Sequence, residues 1–253
     1  MKKSELKQLI EEVINELDQI TKQKAKYFAT QKYGKKLKLV YPNIYSVKDS
    51  PTIEWLEEMN IKNYKINPDG TVDVNGDVDI SQKQLTEIPI QFGKISGNFY
   101  CYNNNLTTLK GAPIYVGGDF TCSYNKLTSL KGAPEYVGGH FYCYNNNLTS
   151  LDGAPKYIEG DFYCNKNKLT SLEGAPKKVG GIFSCSGNNL TSLEGAPTYV
   201  GKHFNCSRNE LTSLEGAPKK VGGNFDCTLN NLDYDYNEDE IRKMIKVKGD
   251  IHI

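Results

Sequence analysis

The sequence has no long hydrophobic run and almost no net charge. None of its apolar stretches approaches the roughly 18 residues that a membrane helix needs, so we expect no membrane-spanning segment. Its 31 basic and 30 acidic residues give a formal charge of +1, which argues against a protein that coats polyanions. The opening stretch, MKKSELKQLIEEVINELD, has charges where a signal peptide needs an apolar core. We therefore expect a soluble, cytoplasmic protein that is not exported by the standard secretory route.

The sequence also lacks the short motifs of common enzymes and metal sites. It contains no phosphate-binding loop, no dinucleotide fingerprint and no nucleophile elbow. Its seven cysteines cannot all pair within one chain, and none stands in the close C-x-x-C spacing of a zinc site. We therefore predict a protein that is not an enzyme, with no catalytic residue, no metal and no cofactor.

The cysteines instead mark a repeat of 21 residues. A phenylalanine stands two residues before each cysteine, a leucine stands five residues after it, and Gly-Ala-Pro recurs six times. The unit reads N-x-L-T-S-L-x-G-A-P-x-x-V-G-G-x-F-x-C-x-x. Self-similarity at this period predicts a solenoid in which each unit forms one coil. The cysteines are Cys101, Cys122, Cys143, Cys164, Cys185, Cys206 and Cys227.

The repeat extends past its cysteine-bearing units at both ends. Val78 and Ile80 stand 21 residues before the first Phe-x-Cys group and take its place in a degenerate first coil. Residues 247–253 match residues 221–227 at an offset of 26, which indicates an insertion in the last coil. The sequence therefore predicts nine strand rungs, centred on residues 78, 99, 120, 141, 162, 183, 204, 225 and 251.

Each coil can be built from the chemistry of its residues. Side chains alternate along a strand, so Phe and Cys face the core together, the cysteines as small apolar side chains. Gly-Ala-Pro favours an extended, polyproline-like return on the convex side, and Gly-Gly lets the chain turn into the next strand. We predict a mainly β solenoid with one parallel sheet of about nine rungs. The asparagines expected to bond the backbone at the bend are Asn125, Asn167, Asn188 and Asn209.

The pattern resembles the leucine-rich repeat, whose L-x-L-x-x-N-x-L corresponds to the segment from Phe120 to Leu127. The most similar variety is the short bacterial one of type III secreted effectors, whose N-x-L-x-x-L-P-E-L-P return resembles residues 125–134. Similar L-T-S-L-x-G-A-P repeats are familiar from bacteriophages. The resemblance covers about residues 74–253 and implies a protein-binding solenoid with a role in phage or bacterial host interaction. It also implies a location in the cytoplasm of a bacterium or infected host, with a virion as the alternative.

Tyrosines crowd one end of the predicted concave face. They stand at outward positions, where other coils carry Ser, Asn or Asp, so coil folding does not require them. Exposed tyrosines are typical of binding hot spots, but cross-strand stacking that stabilises the sheet would also explain them. The candidate binding residues are Tyr100, Tyr102, Tyr124, Tyr142, Tyr144 and Tyr163.

The residues immediately before the phenylalanines form a row along the predicted sheet. In this row Asp119, His140 and Asp161 stand on adjacent rungs. A metal or acid/base site needs such groups to converge on one point. Because this row is parallel and lies on an open surface, we expect charge pairing rather than catalysis.

The N-terminal segment, residues 1–35, is predicted to form an amphipathic helix followed by a basic stretch. The helix either docks on the solenoid or mediates self-association or attachment to an assembly. The lysines of residues 22–38 are expected to be solvated, and nucleic acid is an unlikely partner because the acidic helix offsets their charge. The seam residues of the helix are Leu6, Ile10, Val13, Leu17 and Ile20.

Caps are expected at both ends of the repeats, because a terminal coil exposes its core on one side. Residues 36–73 are predicted to form an N-terminal α+β cap with a buried Trp55, and residues 233–253 a C-terminal helix and last strand. Residues 74–232 form the repeats between them. The sequence as a whole predicts a non-enzymatic protein–protein interaction module with no membrane partner. The alternative is a structural component, of a virion or another assembly, that the N-terminal helix anchors.

Overall fold

A computed structural model of the protein describes residues 51–233 and 236–253. The predicted N-terminal helix, its five seam residues and the basic stretch after it lie outside the described residues. The described residues belong to two compact units.

The smaller unit contains helix α1, Pro51–Glu58, with Ile53 and Leu56 buried. The backbone N–H of Ile61 closes the helix by donating to the carbonyl of Leu56 over 2.8 Å. Trp55 is only partly buried, so the expectation of a buried tryptophan is wrong.

The larger unit, residues 63–65 and 71–253, contains two sheets of very short strands, and the strands from Val72 onward pair in parallel. The nine-stranded Phe sheet consists of the odd-numbered strands β3 to β19, and the ten-stranded Val sheet of β1, β2 and the even-numbered strands β4 to β18. Along the chain the strands are β1 Tyr64–Ile66, β2 Val72–Val74, β3 Val78–Asp79, β4 Phe92–Ile95, β5 Phe99–Tyr100, β6 Tyr115–Val116, β7 Phe120–Thr121, β8 Tyr136–Val137, β9 Phe141–Tyr142, β10 Tyr157–Ile158, β11 Phe162–Tyr163, β12 Lys178–Val179, β13 Phe183–Ser184, β14 Tyr199–Val200, β15 Phe204–Asn205, β16 Lys220–Val221, β17 Phe225–Asp226, β18 Lys246–Val247 and β19 Ile251–His252.

Strand pairing follows the repeat. Val78 pairs with Phe99, the residue 21 positions later, so the degenerate first coil stacks in register on the next. At the other end Phe225 pairs with Ile251 at an offset of 26. The predicted solenoid fold and its nine-rung parallel sheet are confirmed.

The second sheet was not predicted. Its typical strand is a pair such as Tyr115–Val116, with the tyrosine exposed and the valine buried. The Gly-Ala-Pro segment before it is not extended throughout. Gly111 has a left-handed φ of +92°, and the N–H of Ala112 donates to the carbonyl of Leu109 over 2.9 Å, which closes a tight turn. Two alternating residues per strand are too few to give a periodic signal, which is why the sequence did not indicate this sheet.

The core lies between the two sheets and is filled by columns of identical side chains. Phe, Cys and Leu of each cysteine-bearing coil up to Leu214 have 0% of their surface exposed. The rings of successive phenylalanines from Phe99 to Phe225 stack with centroids 5.1 to 5.7 Å apart. Each coil therefore buries its apolar side chains against the same side chains of its neighbours.

A buried asparagine ladder holds the coils together at the bend after the Phe sheet. Asn146 is representative: its Nδ2 donates to the carbonyls of Cys143 and Cys122, each over 3.1 Å, and its Oδ1 accepts from the N–H of Leu127 over 3.0 Å. Each asparagine thus bonds its own coil and the preceding one. The expected backbone bonds at the bend are confirmed for Asn125, Asn167, Asn188 and Asn209.

The cysteines are free and buried, as expected for core side chains. Burial raises the pKa of every one of the seven thiols, that of Cys227 to about 12. We expect the native protein to react very slowly with N-ethylmaleimide at pH 7 and all seven thiols to react once guanidinium unfolds it, because the thiolate is the reactive form. Mass spectrometry of labelled protein measures this. Rapid labelling of several central cysteines without denaturant would contradict it.

The last coil carries helix α2, Glu238–Met244, with Ile241 buried. Asn237 caps the helix by accepting from the N–H of Glu240 over 3.1 Å. Arg242 binds Glu238 within the helix and donates to the carbonyls of Val247 and Gly249, each over 2.9 Å. The arginine thereby fixes the helix to the segment that leads into the final strand.

Candidate functional site

The candidate tyrosines lie on the outer surface of the Phe sheet. Along each strand and the residues after it, buried Phe and Cys alternate with outward positions, so the tyrosines that flank Phe and Cys face away from the core. None of the six is fully buried. We call the surface formed by Tyr100, Tyr102, Tyr124, Tyr142, Tyr144 and Tyr163 the tyrosine face.

Four of these tyrosines form one connected cluster centred on Tyr142. Its ring stacks on that of Tyr163 with centroids 5.4 Å apart and meets the edge of Tyr144 at 6.3 Å. Tyr144 in turn makes an edge contact with Tyr124 at 5.3 Å, and His140 lies 5.7 Å from Tyr142. Three successive coils therefore share one aromatic surface.

Tyr100 and Tyr102 form a separate pair. Their ring centroids are 6.4 Å apart. On the next rung Thr121 pairs with Tyr100 on one side and with Tyr142 on the other, so a small side chain interrupts the aromatic column. The structure thus brings the six predicted residues to one face in two groups.

Sheet stabilisation explains only part of this arrangement. Tyr142 and Tyr163 are register partners and form a cross-strand stack. Tyr124, in contrast, is 52% exposed and has a left-handed φ of +54°. Lys166, Arg208 and Leu229 occupy the same position in their coils with φ between +54° and +56°, so this conformation belongs to the repeat and does not single out the tyrosine. About half of the surface of Tyr124 stays exposed, so burial in the sheet does not account for this side chain.

Burial and nearby aspartates raise the pKa of three tyrosine hydroxyls on this face, those of Tyr100, Tyr142 and Tyr163. Partial burial, followed by the charges of Asp119 and Asp161, raises the pKa of Tyr142 to about 12. Burial and Asp161 raise the pKa of Tyr163, and burial and neighbouring aspartates raise that of Tyr100. At pH 7 the face therefore offers neutral phenol rings beside negative carboxylates.

The row before the phenylalanines caps the backbone of the next coil. Oδ1 of Asp119 accepts from the N–H of His140 over 2.7 Å, Nδ1 of His140 accepts from the N–H of Asp161 over 2.9 Å, and Oδ1 of Asp161 accepts from that of Ile182 over 2.7 Å. Nδ1 of His140 also lies 3.3 Å from Oδ2 of Asp161. Because this nitrogen accepts a backbone hydrogen, it carries no proton in that arrangement.

This row gives no sign of catalytic geometry. Its groups stand in line along the solenoid, one on each rung, and do not converge on a common point. Within the described residues, no group of three or more His, Cys, Asp or Glu side chains could hold a metal ion. In the same part of the chain, no helix has the length and apolar character needed to cross a bilayer.

Comparison with solved structures finds a likeness to the leucine-rich-repeat domain of a Shigella effector. The two share 15% sequence identity with a TM-score of 0.51 over 70% of this chain and 80% of that chain. The fold is leucine-rich-repeat-like. No protein-family model and no curated protein sequence matches the chain.

This leucine-rich-repeat-like solenoid carries a second aromatic surface that we did not predict. On the Val sheet Tyr115 stacks on Tyr136 with ring centroids 4.8 Å apart, and Tyr157 on the next rung is 65% exposed. Ile114 beside them is 53% exposed. The sequence did contain a signal for this surface, because a tyrosine precedes the valine in several units. We did not use it, since we predicted a polyproline-like return in this part of the coil.

Proposed function

We propose that the protein is a non-enzymatic interaction module that binds a protein partner on the tyrosine face. The observation that carries this proposal is the connected cluster of Tyr124, Tyr142, Tyr144 and Tyr163 on an outer surface whose coils fold equally well without tyrosine. Ser184 and Ser186 occupy the equivalent positions two coils after Tyr142 and Tyr144. Partly exposed aromatic side chains in a rigid array bind protein surfaces at low entropic cost.

Replacing Tyr142 and Tyr144 by serine together is expected to abolish capture of the partner while folding stays cooperative, because serine is the natural residue at these positions of the later coil. The matched control replaces Tyr115 and Tyr136, the stacked pair of the Val sheet, by serine. Quantitative affinity purification with the full chain would compare the three proteins, and urea denaturation would confirm that both variants fold. The proposal predicts a partner lost only from the tyrosine-face variant.

Equal capture by the wild type and the tyrosine-face variant would place the binding site elsewhere. The N-terminal seam would then be the next candidate, in keeping with a structural component anchored through residues 1–35. A host-interaction role in a bacterium or phage is the finer form of the proposal. It is supported by the resemblance of the repeat to those of bacterial effectors and phages.

A further inference from the structure

We infer that the tyrosine face selects a cationic partner segment, one that presents arginine or lysine side chains. The inference rests on the proposed function and specifies the chemistry of its partner. It combines the charge around the tyrosines, the geometry of the carboxylates and two buried polar atoms without partners.

The outward positions of the first five rungs carry an excess of negative charge. Four aspartates stand before or after the inward residues of β3, β7 and β11, namely Asp77, Asp79, Asp119 and Asp161. Asp77, Asp119 and Asp161 border the column that contains Tyr100, Tyr142 and Tyr163. Asp79 belongs to that column, as the register partner of Tyr100. Two lysines of these coils, Lys126 and Lys166, lie at the bend on the opposite margin of the face. Among the residues that precede the strands of these five rungs, His140 is the one basic side chain, and its Nδ1 lies 3.3 Å from Oδ2 of Asp161.

Folding does not require these carboxylates to be charged. Asp77 and Asp119 cap the next coil by accepting a backbone hydrogen at Oδ1 over 2.7 Å. Asn98 makes the same 2.7 Å bond on the rung between them, and His203 caps a later rung over 3.0 Å. A neutral side chain thus accepts the same hydrogen bond from the backbone of the next coil, so the negative charge is an additional property of this margin.

The carboxylates also keep an oxygen free. Within the described residues, Oδ2 of Asp77, Asp79 and Asp119 makes no hydrogen bond, because Oδ1 accepts the bonds to the next coil and, in Asp79, those from Ser81. Oδ2 of Asp161 lies 3.3 Å from Nδ1 of His140. A free carboxylate oxygen beside the face of a tyrosine ring suits a guanidinium or ammonium group, which pairs with the carboxylate and lies over the ring.

Two buried polar atoms on the same face lack partners. Oγ of Ser123 and Oδ1 of Asn165 make no hydrogen bond, and Ser123 is 0% exposed. These residues flank Tyr144 in the column of outward positions after cysteine. The fully buried Ser123 is out of reach of a partner and its hydroxyl can also donate, whereas Asn165 is only partly buried and its Oδ1 can only accept. Arginine and lysine side chains carry only donors. A cationic side chain would therefore complement the face in charge, ring contact and hydrogen bonding.

The test compares a fluorescein-labelled peptide of repeated Gly-Arg units with the same peptide in which citrulline, the neutral isostere, replaces arginine. The full chain is titrated against each peptide and binding is followed by fluorescence anisotropy. The key variant carries Asp77→Asn, Asp119→Asn and Asp161→Asn, which keep the backbone caps and remove three charges. Its control carries Asp226→Asn and Asp250→Asn at the far end of the same sheet.

We expect the arginine peptide to bind the wild type and the control equally, and the triple variant about tenfold or more weakly. The citrulline peptide should bind the wild type more weakly than the arginine peptide does, by a similar factor. Equal binding of both peptides, unchanged affinity of the triple variant, or no binding of the arginine peptide at about 1 mM would overturn the inference.

The Tyr142→Ser and Tyr144→Ser variant separates this inference from the proposed function. If it loses both peptides while the aspartate variant keeps both, the tyrosine site stands and the preference for cations is wrong. If it binds the arginine peptide as the wild type does while the aspartate variant does not, the tyrosines are not the binding surface. Loss of the arginine peptide from both variants supports the two together.

Discussion

Replacing Asn146 by alanine is expected to lower the free energy of unfolding by about 3 to 5 kcal/mol. The change leaves the N–H of Leu127 without that partner, and it removes one of the two asparagine bonds to each of the carbonyls of Cys122 and Cys143. An unpaired buried backbone N–H costs about 1 to 3 kcal/mol, and each further hydrogen bond that is lost costs about 1 kcal/mol. Urea denaturation followed by circular dichroism measures the loss.

The neighbouring Asn145 supplies the control. It is not part of the ladder, and its φ of +53° is one that glycine adopts readily. Asn145→Gly should change the free energy of unfolding by less than about 1 kcal/mol. If Asn146→Ala were as mild as this control, water would have to replace the asparagine at the bend, and the ladder would not be a principal source of stability.

Replacing Phe162 by alanine is expected to cost about 3 to 5 kcal/mol through the cavity that it leaves in the phenylalanine column. The ring is fully buried and stacks on Phe141 at 5.1 Å and on Phe183 at 5.4 Å. Because each coil contacts only its neighbours, a defect in the middle of the column should also uncouple the two halves. Denaturation curves should then broaden or show two transitions.

Position along the solenoid provides the comparison for this prediction. Phe225 stacks on one phenylalanine, Phe204, and faces Ile251 on its other side. Phe225→Ala should therefore destabilise less than Phe162→Ala and leave a single transition. The same loss and the same single transition for both variants would contradict the idea that stability depends on contacts between adjacent coils.

Much of the fold could be predicted because every unit of the repeat supplies the same evidence. Phe and Cys recur at the same spacing in seven coils, so their alternation identified the inner column. The same periodicity located Val78 and Ile251 as the outer rungs, which the strand pairing confirms. The Val sheet could not be found in this way, because a strand such as Tyr136–Val137 has too few residues to alternate.

The candidate site was predictable in position but not in geometry. Outward placement of the tyrosines followed from the alternation of the strand. Their division into a cluster and a separate pair depends on Thr121, and on ring orientations that sequence does not specify. The backbone caps made by Asp119 and His140 were also unexpected, since the N–H groups they accept from belong to a coil 21 residues later.

The cap row has a consequence for how this surface can evolve. Its members in the described coils are Asp77, Asn98, Asp119, His140, Asp161, Ile182, His203 and Asn224. Apart from Ile182, these residues are aspartate, asparagine or histidine, and the codons of these three amino acids differ from one another only in the first base. One point mutation can therefore switch a rung between negative, neutral and titratable while an acceptor remains for the backbone of the next coil. Point mutations can therefore change the charge that the solenoid presents to a partner one rung at a time, and each variant along the way keeps its backbone caps.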